Sequence, residues 1–157
     1  MPKLSTCLWF DGKAEDAVNF YASVFKGAKI TDTLRYGDAG PGPKGSVLTV
    51  TVEIGDHKII ALNGGPNFKF TPATSIFVVC KNQAEVDSYW DKLSAEGEVM
   101  QCGWITDKFG VTWQIVPDGL MEMHMDKNAK KSAAVMQAMM TMKKLDIHAL
   151  KRAYDAA

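Results

Sequence analysis

The side chains in this sequence that could do chemistry are few and mostly neutral. Near the end of its apolar-rich body lies Trp104-Ile-Thr-Asp-Lys-Phe-Gly-Val-Thr-Trp-Gln-Ile-Val-Pro117. Two runs rich in β-branched and aromatic residues flank Asp107-Lys108-Phe109-Gly110, and the late glycine can take the positive φ of a tight turn, which predicts a hairpin. Alternation along Val111–Val116 sends Val111, Trp113 and Ile115 to one face and Thr112, Gln114 and Val116 to the other. Gln114 is thus one amide in mid-strand, able to donate and accept hydrogen bonds but not to act as a base at neutral pH. Asp107 and Lys108 read as turn chemistry, with Lys108 alternatively meeting an anionic ligand. Of the three cysteines, Cys7, Cys80 and Cys102, Cys7 falls on the face of interest, and no His, Lys or Arg in the first strand pair is placed to make it a reactive thiolate, so it is expected to be a small buried hydrophobe. His57 lies beside a turn, and His124 and His148 fall in a helical tail, so all three read as surface or packing residues.

Composition narrows the partners. Eighteen basic and eighteen acidic residues cancel in a chain of 157, which offers no positive field for nucleic acid or an anionic membrane. No apolar run approaches bilayer length, no charged leader precedes an apolar segment, and three scattered cysteines make no disulfide framework. The reading is a protein of a reducing cytoplasm with free thiols. At 46% hydrophobic it has enough apolar side chains for one domain of about this size.

The elements that must position these residues come twice. Leu4–Phe10 alternates as a strand. Gly12 with Glu15 is expected to cap a helix whose apolar positions, Ala14, Ala17, Val18, Tyr21, Val24 and Phe25, recur at helical spacing until Gly27. Ile30–Tyr36 is a strand. The span Gly37–Gly45, with four glycines and two prolines, reads as a mobile connection or lid. Val47–Ile54 and Lys58–Leu62 are hairpin partners joined at Gly55-Asp56, and Asn63-Gly64-Gly65-Pro66 breaks the run. Ser75–Cys80 then starts again, with a capping box at Asn82 and Glu85, a helical stripe at Val86, Tyr89, Trp90 and Leu93, and a stop at Gly97. Ser5 and Ser75, Gly12 and Asn82, Ala14-Glu15 and Ala84-Glu85, and Gly27 and Gly97 are each seventy positions apart. Each helix also carries an aromatic pair, Phe20-Tyr21 and Tyr89-Trp90. Shared spacing across strand, cap and terminator predicts two copies of a βαβββ unit, the second with a brief strand near Glu98–Gln101.

Beyond Pro117 lie seven of the nine methionines and two expected helices, 127–144 and 146–156, the second capped by Asp146. Their apolar faces must be covered, either by the body of the same chain or by a second subunit. The organisation expected is a single domain over 1–157: module one at about 1–65, module two at about 74–117 and a helical tail at 118–157.

The paired modules, the Phe-Tyr pair and the string Asp107-Lys-Phe-Gly-Val-Thr-Trp-Gln-Ile-Val-Pro117 resemble the vicinal oxygen chelate superfamily, which includes glyoxalases, bleomycin-resistance proteins and extradiol dioxygenases. Within it the chain is similar to the PhnB-like, 3-demethylubiquinone 3-methyltransferase-like branch. The resemblance implies an α+β fold with a cupped mixed sheet around a cavity, a C-terminal helical extension and a homodimer. In the superfamily's metal enzymes, four inward positions carry two histidines and two glutamates; in this sequence they fall on Ser5, Asn63, Ser75 and Gln114, all neutral. Hydroxyls and amides are poor ligands for divalent first-row metals, so no catalytic metal or other cofactor is expected. The glycine-rich strand-to-helix turn that often holds a methyl donor is also missing. The inward face so inferred collects Ser5, Cys7, Trp9, Ala61, Asn63, Ser75, Phe77, Thr112 and Gln114. It reads as a pocket for a small organic ligand, with Trp9 and Phe77 as walls and Asn63 and Gln114 at mirrored positions. An enzyme of the superfamily, either a metal-assisted lyase, isomerase or dioxygenase or a methyltransferase-like transferase, is the competing expectation.

Overall fold

The structure is a computed structural model that describes residues 1–157. The chain divides into two compact units, Met1–Phe70 and Thr71–Ala157, which share one topology.

In the first unit β1 (Thr6–Phe10) leads to helix α1 (Ala14–Val24), followed by β2 (Lys29–Arg35), β3 (Val47–Ile54) and β4 (His57–Asn63). The sheet order is β1-β4-β3-β2, with β1 parallel to β4 and the other pairs antiparallel. Pairing of Leu8 with Ala61, and of Ala61 and Ile59 with Val50 and Val52, puts these residues on one face. That face is buried against Ala14, Ala17, Val18, Tyr21 and Val24 of α1. Burying a side chain the size of Val or Leu stabilises by about 1.5–3 kcal/mol, so this layer fixes the helix on the sheet. The edge strand β2 is exposed along its length and carries two register shifts, features that blunt an edge against further pairing.

Two local expectations change in this unit. Helix α1 begins after Lys13, with no capping box at Gly12; its first N–H, on Ala14, is accepted by Asn63 Oδ1 at 2.9 Å from the end of β4. The span Gly37–Gly45 is no slack lid. Tyr36 N–H donates to the Ser46 carbonyl, Gly45 N–H returns a bond to the Tyr36 carbonyl, and the Tyr36 ring lies where a Cβ at Gly40 or Gly42 would have to go. The glycines serve the close approach of that ring.

The second unit repeats the plan with β5 (Ile76–Cys80), α2 (Gln83–Ser94), β6 (Glu98–Val99), β7 (Trp104–Thr106) and β8 (Thr112–Pro117), in the order β5-β8-β7-β6. β5 stands seventy positions after β1 and is likewise parallel to the last strand of its unit. The capping box at α2 forms in modified shape: Asn82 Oδ1 accepts from Glu85 N–H, while Glu85 Oε2 reaches past Asn82 to accept from Lys81 N–H. Val86, Trp90 and Leu93 of α2 are buried, as are Cys80, Ile105, Trp113 and Ile115 on the sheet face that it covers.

The tail folds as three helices: α3 (Leu120–His124), which the sequence reading lacks, α4 (Ala129–Met140) and α5 (Ile147–Asp155), capped by Asp146 as expected. Leu120, Val135, Leu145 and Leu150 form a core with Val116, and Met123, Met139, Met142 and Tyr154 pack against it. Backbone bonds pin the tail to its own sheet, from Cys102 N–H to the Met142 carbonyl and from Gly103 N–H to the Lys143 carbonyl. Gln83 of α2 clamps it as well, donating to the Leu145 carbonyl and accepting from Ile147 N–H. Of the two coverings the sequence leaves open, the body of the same chain takes the larger part. Met121, Met125, Met136 and Met140 remain exposed.

Candidate ligand-binding face

The hairpin that presents Gln114 is built on a buried carboxylate. Asp107 Oδ1 accepts from the N–H groups of Phe109 and Val111, and its Oδ2 accepts from Trp113 Nε1 at 2.9 Å. The first two bonds close the turn, where Gly110 takes φ 89°. The third anchors Trp113 on the helix-covered face, at 1% exposure. Strand alternation then commits Gln114 to the opposite face. Asp107 is therefore more than local turn chemistry, since it sets the register that aims the amide. Lys108, beside it, pairs with Glu96.

On that opposite face, parallel pairing sets Phe77 beside Gln114, and antiparallel pairing sets Trp104 beside it on the other flank. Thr112 and Thr106 follow, their hydroxyl oxygens 3.5 Å apart, then Glu98 at the rim on β6. Gln114 Nε2 donates to Ser75 Oγ at 2.8 Å, and its Oε1 has no partner within the chain. Phe77 and Val79 are 46% and 57% exposed, an unusual degree for adjacent apolar positions on one strand face. Ser75, Phe77, Thr112 and Gln114 thus come together on one sheet as the sequence implies. Trp104, Thr106, Val79 and Glu98 belong to the same face; pairing the hairpin outward from Asp107 and Gly110 would have found the first two.

The first-unit candidates divide differently. Cys7 and Trp9 lie on the face of their sheet away from α1, with Ile60 and Leu62 beside them. Ser5 is exposed just before β1, and Cys7 is exposed rather than buried. Trp9 donates its Nε1–H to the Gly65 carbonyl, meets Phe68 edge-on at 5.0 Å and covers Gly64, where a Cβ would strike its ring.

Asn63 and Ala61 are corrected outright. Their pairing with Phe10 and Leu8 puts them on the helix side, one residue out of phase with Trp9. The Asn63 amide is engaged at both ends, its Oδ1 on Ala14 N–H and its Nδ2 on the Val47 carbonyl. Nor is it the mirror of Gln114. Cys7 and Phe77 correspond across the repeat; Cys7 pairs with Ile60 and Phe77 with Gln114, so Ile60 answers Gln114 and Asn63 answers Pro117.

Neither group that the superfamily suggests fits these residues. A first-row metal needs imidazole or anionic donors, whereas Ser5, Ser75 and Gln114 offer only hydroxyls and an amide, Asn63 caps a helix, and Ile60 stands in the first unit where Gln114 stands in the second. Nowhere do three or more His, Cys, Asp or Glu side chains gather as such a group. A nucleoside-type methyl donor at the first strand-to-helix turn would meet a helix N-terminus already capped by Asn63. The buried Cys80 thiol is pushed up to about 12 by desolvation, with Glu85 adding to the shift, so it is a packing residue. His57 is exposed beside Thr6, and His148 is exposed on α5; His124 is partly buried, with its Nδ1 lacking a partner.

A sequence profile of the 3-demethylubiquinone-9 3-methyltransferase family matches residues 2–116. A PhnB protein from Bacillus cereus, described provisionally as a 3-demethylubiquinone-9 3-methyltransferase, is 35% identical, with 74% of this chain and 99% of that one covered and a TM-score of 0.67. Protein PA1353 from Pseudomonas aeruginosa shares the fold at 20% identity, with a TM-score of 0.63 over 75% of this chain and all of the other. The fosfomycin resistance protein FosX from Mesorhizobium loti does so at 13% identity, with a TM-score of 0.50 over 71% of this chain and 87% of its own. No curated protein matches. No helix is long and apolar enough to cross a membrane. The duplicated βαβββ topology, the family profile and the Bacillus cereus relative together make this chain a member of the PhnB-like 3-demethylubiquinone-9 3-methyltransferase family, within the vicinal oxygen chelate superfamily.

Proposed function

We propose that this protein binds a small organic ligand on the exposed part of this face of its second sheet, at Ser75, Phe77 and Gln114 with the buried Thr112 behind them, without a catalytic metal. One observation carries the reading: an amide fixed by the hairpin register, with a free acceptor oxygen, stands between Phe77 and Trp104 on a face where apolar side chains remain exposed. Specific binding needs this combination, an apolar bed for affinity and a few fixed polar groups for orientation. A metal enzyme of the superfamily would need anionic or imidazole ligands at the positions held by Ser75 and Gln114, and a methyltransferase would need a place for its donor. The cytoplasm and a homodimer complete the proposal. The exposed methionines of the tail support the latter, and light scattering of the full chain, giving a dimer mass or a monomer mass, decides it.

The test is a broad small-molecule screen read by tryptophan fluorescence, since Trp104 lies on the proposed face. At least one aromatic compound should quench saturably, and Gln114→Leu should weaken it by about tenfold, the cost of one well-made hydrogen bond. Saturable binding that Gln114→Leu leaves unchanged would move the site elsewhere. Near-stoichiometric zinc, nickel or manganese in the purified protein, lost in Gln114→Ala, would overturn the metal-free part of the reading.

A further inference from the structure

We propose that the ligand of this face is an uncharged aromatic or heteroaromatic compound bearing a carboxamide, or another group that sets one hydrogen-bond donor beside one acceptor. This rests on the reading above and specifies its ligand. The Ser75–Gln114 bond has a direction: the amide nitrogen donates and the hydroxyl oxygen accepts. Once Oγ is used as an acceptor, the Ser75 hydroxyl hydrogen is left to donate, and Gln114 Oε1 is left to accept. The pair therefore offers one outgoing donor beside one outgoing acceptor. A primary carboxamide is the complement of that pair, its N–H meeting Gln114 Oε1 and its carbonyl meeting the Ser75 hydroxyl.

Charge points the same way. The strand residues of this face are Phe77, Val79, Trp104, Thr106, Thr112, Gln114 and Val116, with Glu98 at the rim; none is cationic, and the single charge is negative. Lys108, two residues beyond Thr106, is paired with Glu96, and Lys81, two residues beyond Val79, lies four positions along the chain from Phe77, the strand partner of Gln114. A carboxylate or phosphate at Gln114 would find no cation among the strand residues beside it, and its lone pairs would face those of Gln114 Oε1. An amidinium has donors only and would leave the Ser75 hydroxyl without an acceptor. An unmatched polar group on a partly dry surface costs as much as a good bond gains, so a matched neutral group is selected. Phe77, Val79 and Trp104 supply the apolar bed for its ring.

Three isosteric probes separate these cases: benzamide, benzoate and benzamidine. The indole Nε1–H resonance of Trp104, the strand partner of Gln114, is assigned by its loss in Trp104→Phe and followed in two-dimensional nitrogen–proton spectra of the full chain and of each variant. Benzamide should shift it saturably, with benzoate and benzamidine at least about tenfold weaker. Ser75→Ala, a change at a partly exposed position that leaves the hairpin intact, should weaken benzamide by about tenfold. Gln114→Glu, which keeps the shape and replaces the donor with an anion, should reverse the order in favour of benzamidine. Benzoate or benzamidine binding as tightly as benzamide to the unaltered protein, and losing that binding in Gln114→Leu, would overturn the ligand class while leaving the face as the site. Absence of any saturable benzamide shift would also overturn the class, and the broad screen then judges the face on its own.

Discussion

The two units fold by the same plan, and each has an amide on its last strand, yet they use the amides differently. In the first, Asn63 lies on the helix side of the sheet, capping α1 and tying down the Val47 carbonyl. In the second, Gln114 lies on the open side, bonded to Ser75 and otherwise free. A single residue of phase separates a structural amide from an available one, because alternation in a strand turns each step into a change of face. The open face of the first sheet has Ile60 where the second has Gln114, with Trp9 held by Gly65 and Phe68. The first unit uses its amide to hold its own helix and strand, and the second leaves an acceptor oxygen free.

The largest expected effect falls on what sets the phase in the second unit. Asp107→Ala removes the acceptor of three hydrogen bonds, from the N–H groups of Phe109 and Val111 and from Trp113 Nε1. It should cost about 3 kcal/mol or more in urea unfolding, and the emission of the buried Trp113 should shift toward that of solvated indole. A loss below about 1 kcal/mol would mean that the alternation alone holds the register.

A smaller effect should come from the first unit. At Gly64, a Cβ would enter the space of the Trp9 ring, so Gly64→Ala forces the ring off Gly64 or the backbone away from it. Overpacking of this kind costs about 1–3 kcal/mol. It should be visible as altered Trp9 fluorescence, whereas an unchanged spectrum and melting curve would show that the ring moves freely.

Smallest is the pH dependence of the tail. The Tyr154 hydroxyl and the Asn128 N–H hold Asp126 below the usual carboxylate range, and Asp126 in turn raises Tyr154. For the depressed carboxylate the folded state binds its proton later than the unfolded state, so the contribution stands above the ordinary carboxylate pKa and is lost as pH falls through the folded value. For the raised tyrosine it stands below the ordinary phenol pKa and is lost as pH rises through its folded value. Protection of the α5 amides, taken relative to their intrinsic exchange rate at each pH, should therefore be greatest at neutral pH and smaller at both extremes, and Tyr154→Phe should flatten the profile. A profile unaltered by Tyr154→Phe would remove this pair from the account of tail docking.

Much of this was legible in the sequence because it rests on spacing. The seventy-residue repeat located both modules, and the strand pattern after Gly110 put Gln114, Thr112 and Trp113 on their proper faces. What was not legible depends on partners far apart in the chain. Nothing near Gly12 signals that the cap of α1 comes from Asn63, 49 residues beyond Ala14. The strand partner of Cys7, which makes Ile60 rather than Asn63 the counterpart of Gln114, is equally non-local. The glycines of 37–45 looked like freedom because local composition cannot show that Tyr36 folds back over them. The intrachain docking of the methionine-rich tail was likewise beyond periodicity, which defines an apolar face but not what covers it.

The central claim, that one amide is structural and the other available, is tested most directly by making the same apolar replacement at both. Asn63→Leu and Gln114→Leu are compared by equilibrium urea unfolding of the full chain, without added ligand. Loss of the α1 cap and of the partner of the Val47 carbonyl should destabilise Asn63→Leu by about 2 kcal/mol, whereas Gln114→Leu should stay within about 0.5 kcal/mol of the unaltered protein. Equal losses, or a larger loss at Gln114, would contradict the account and make the second amide as structural as the first.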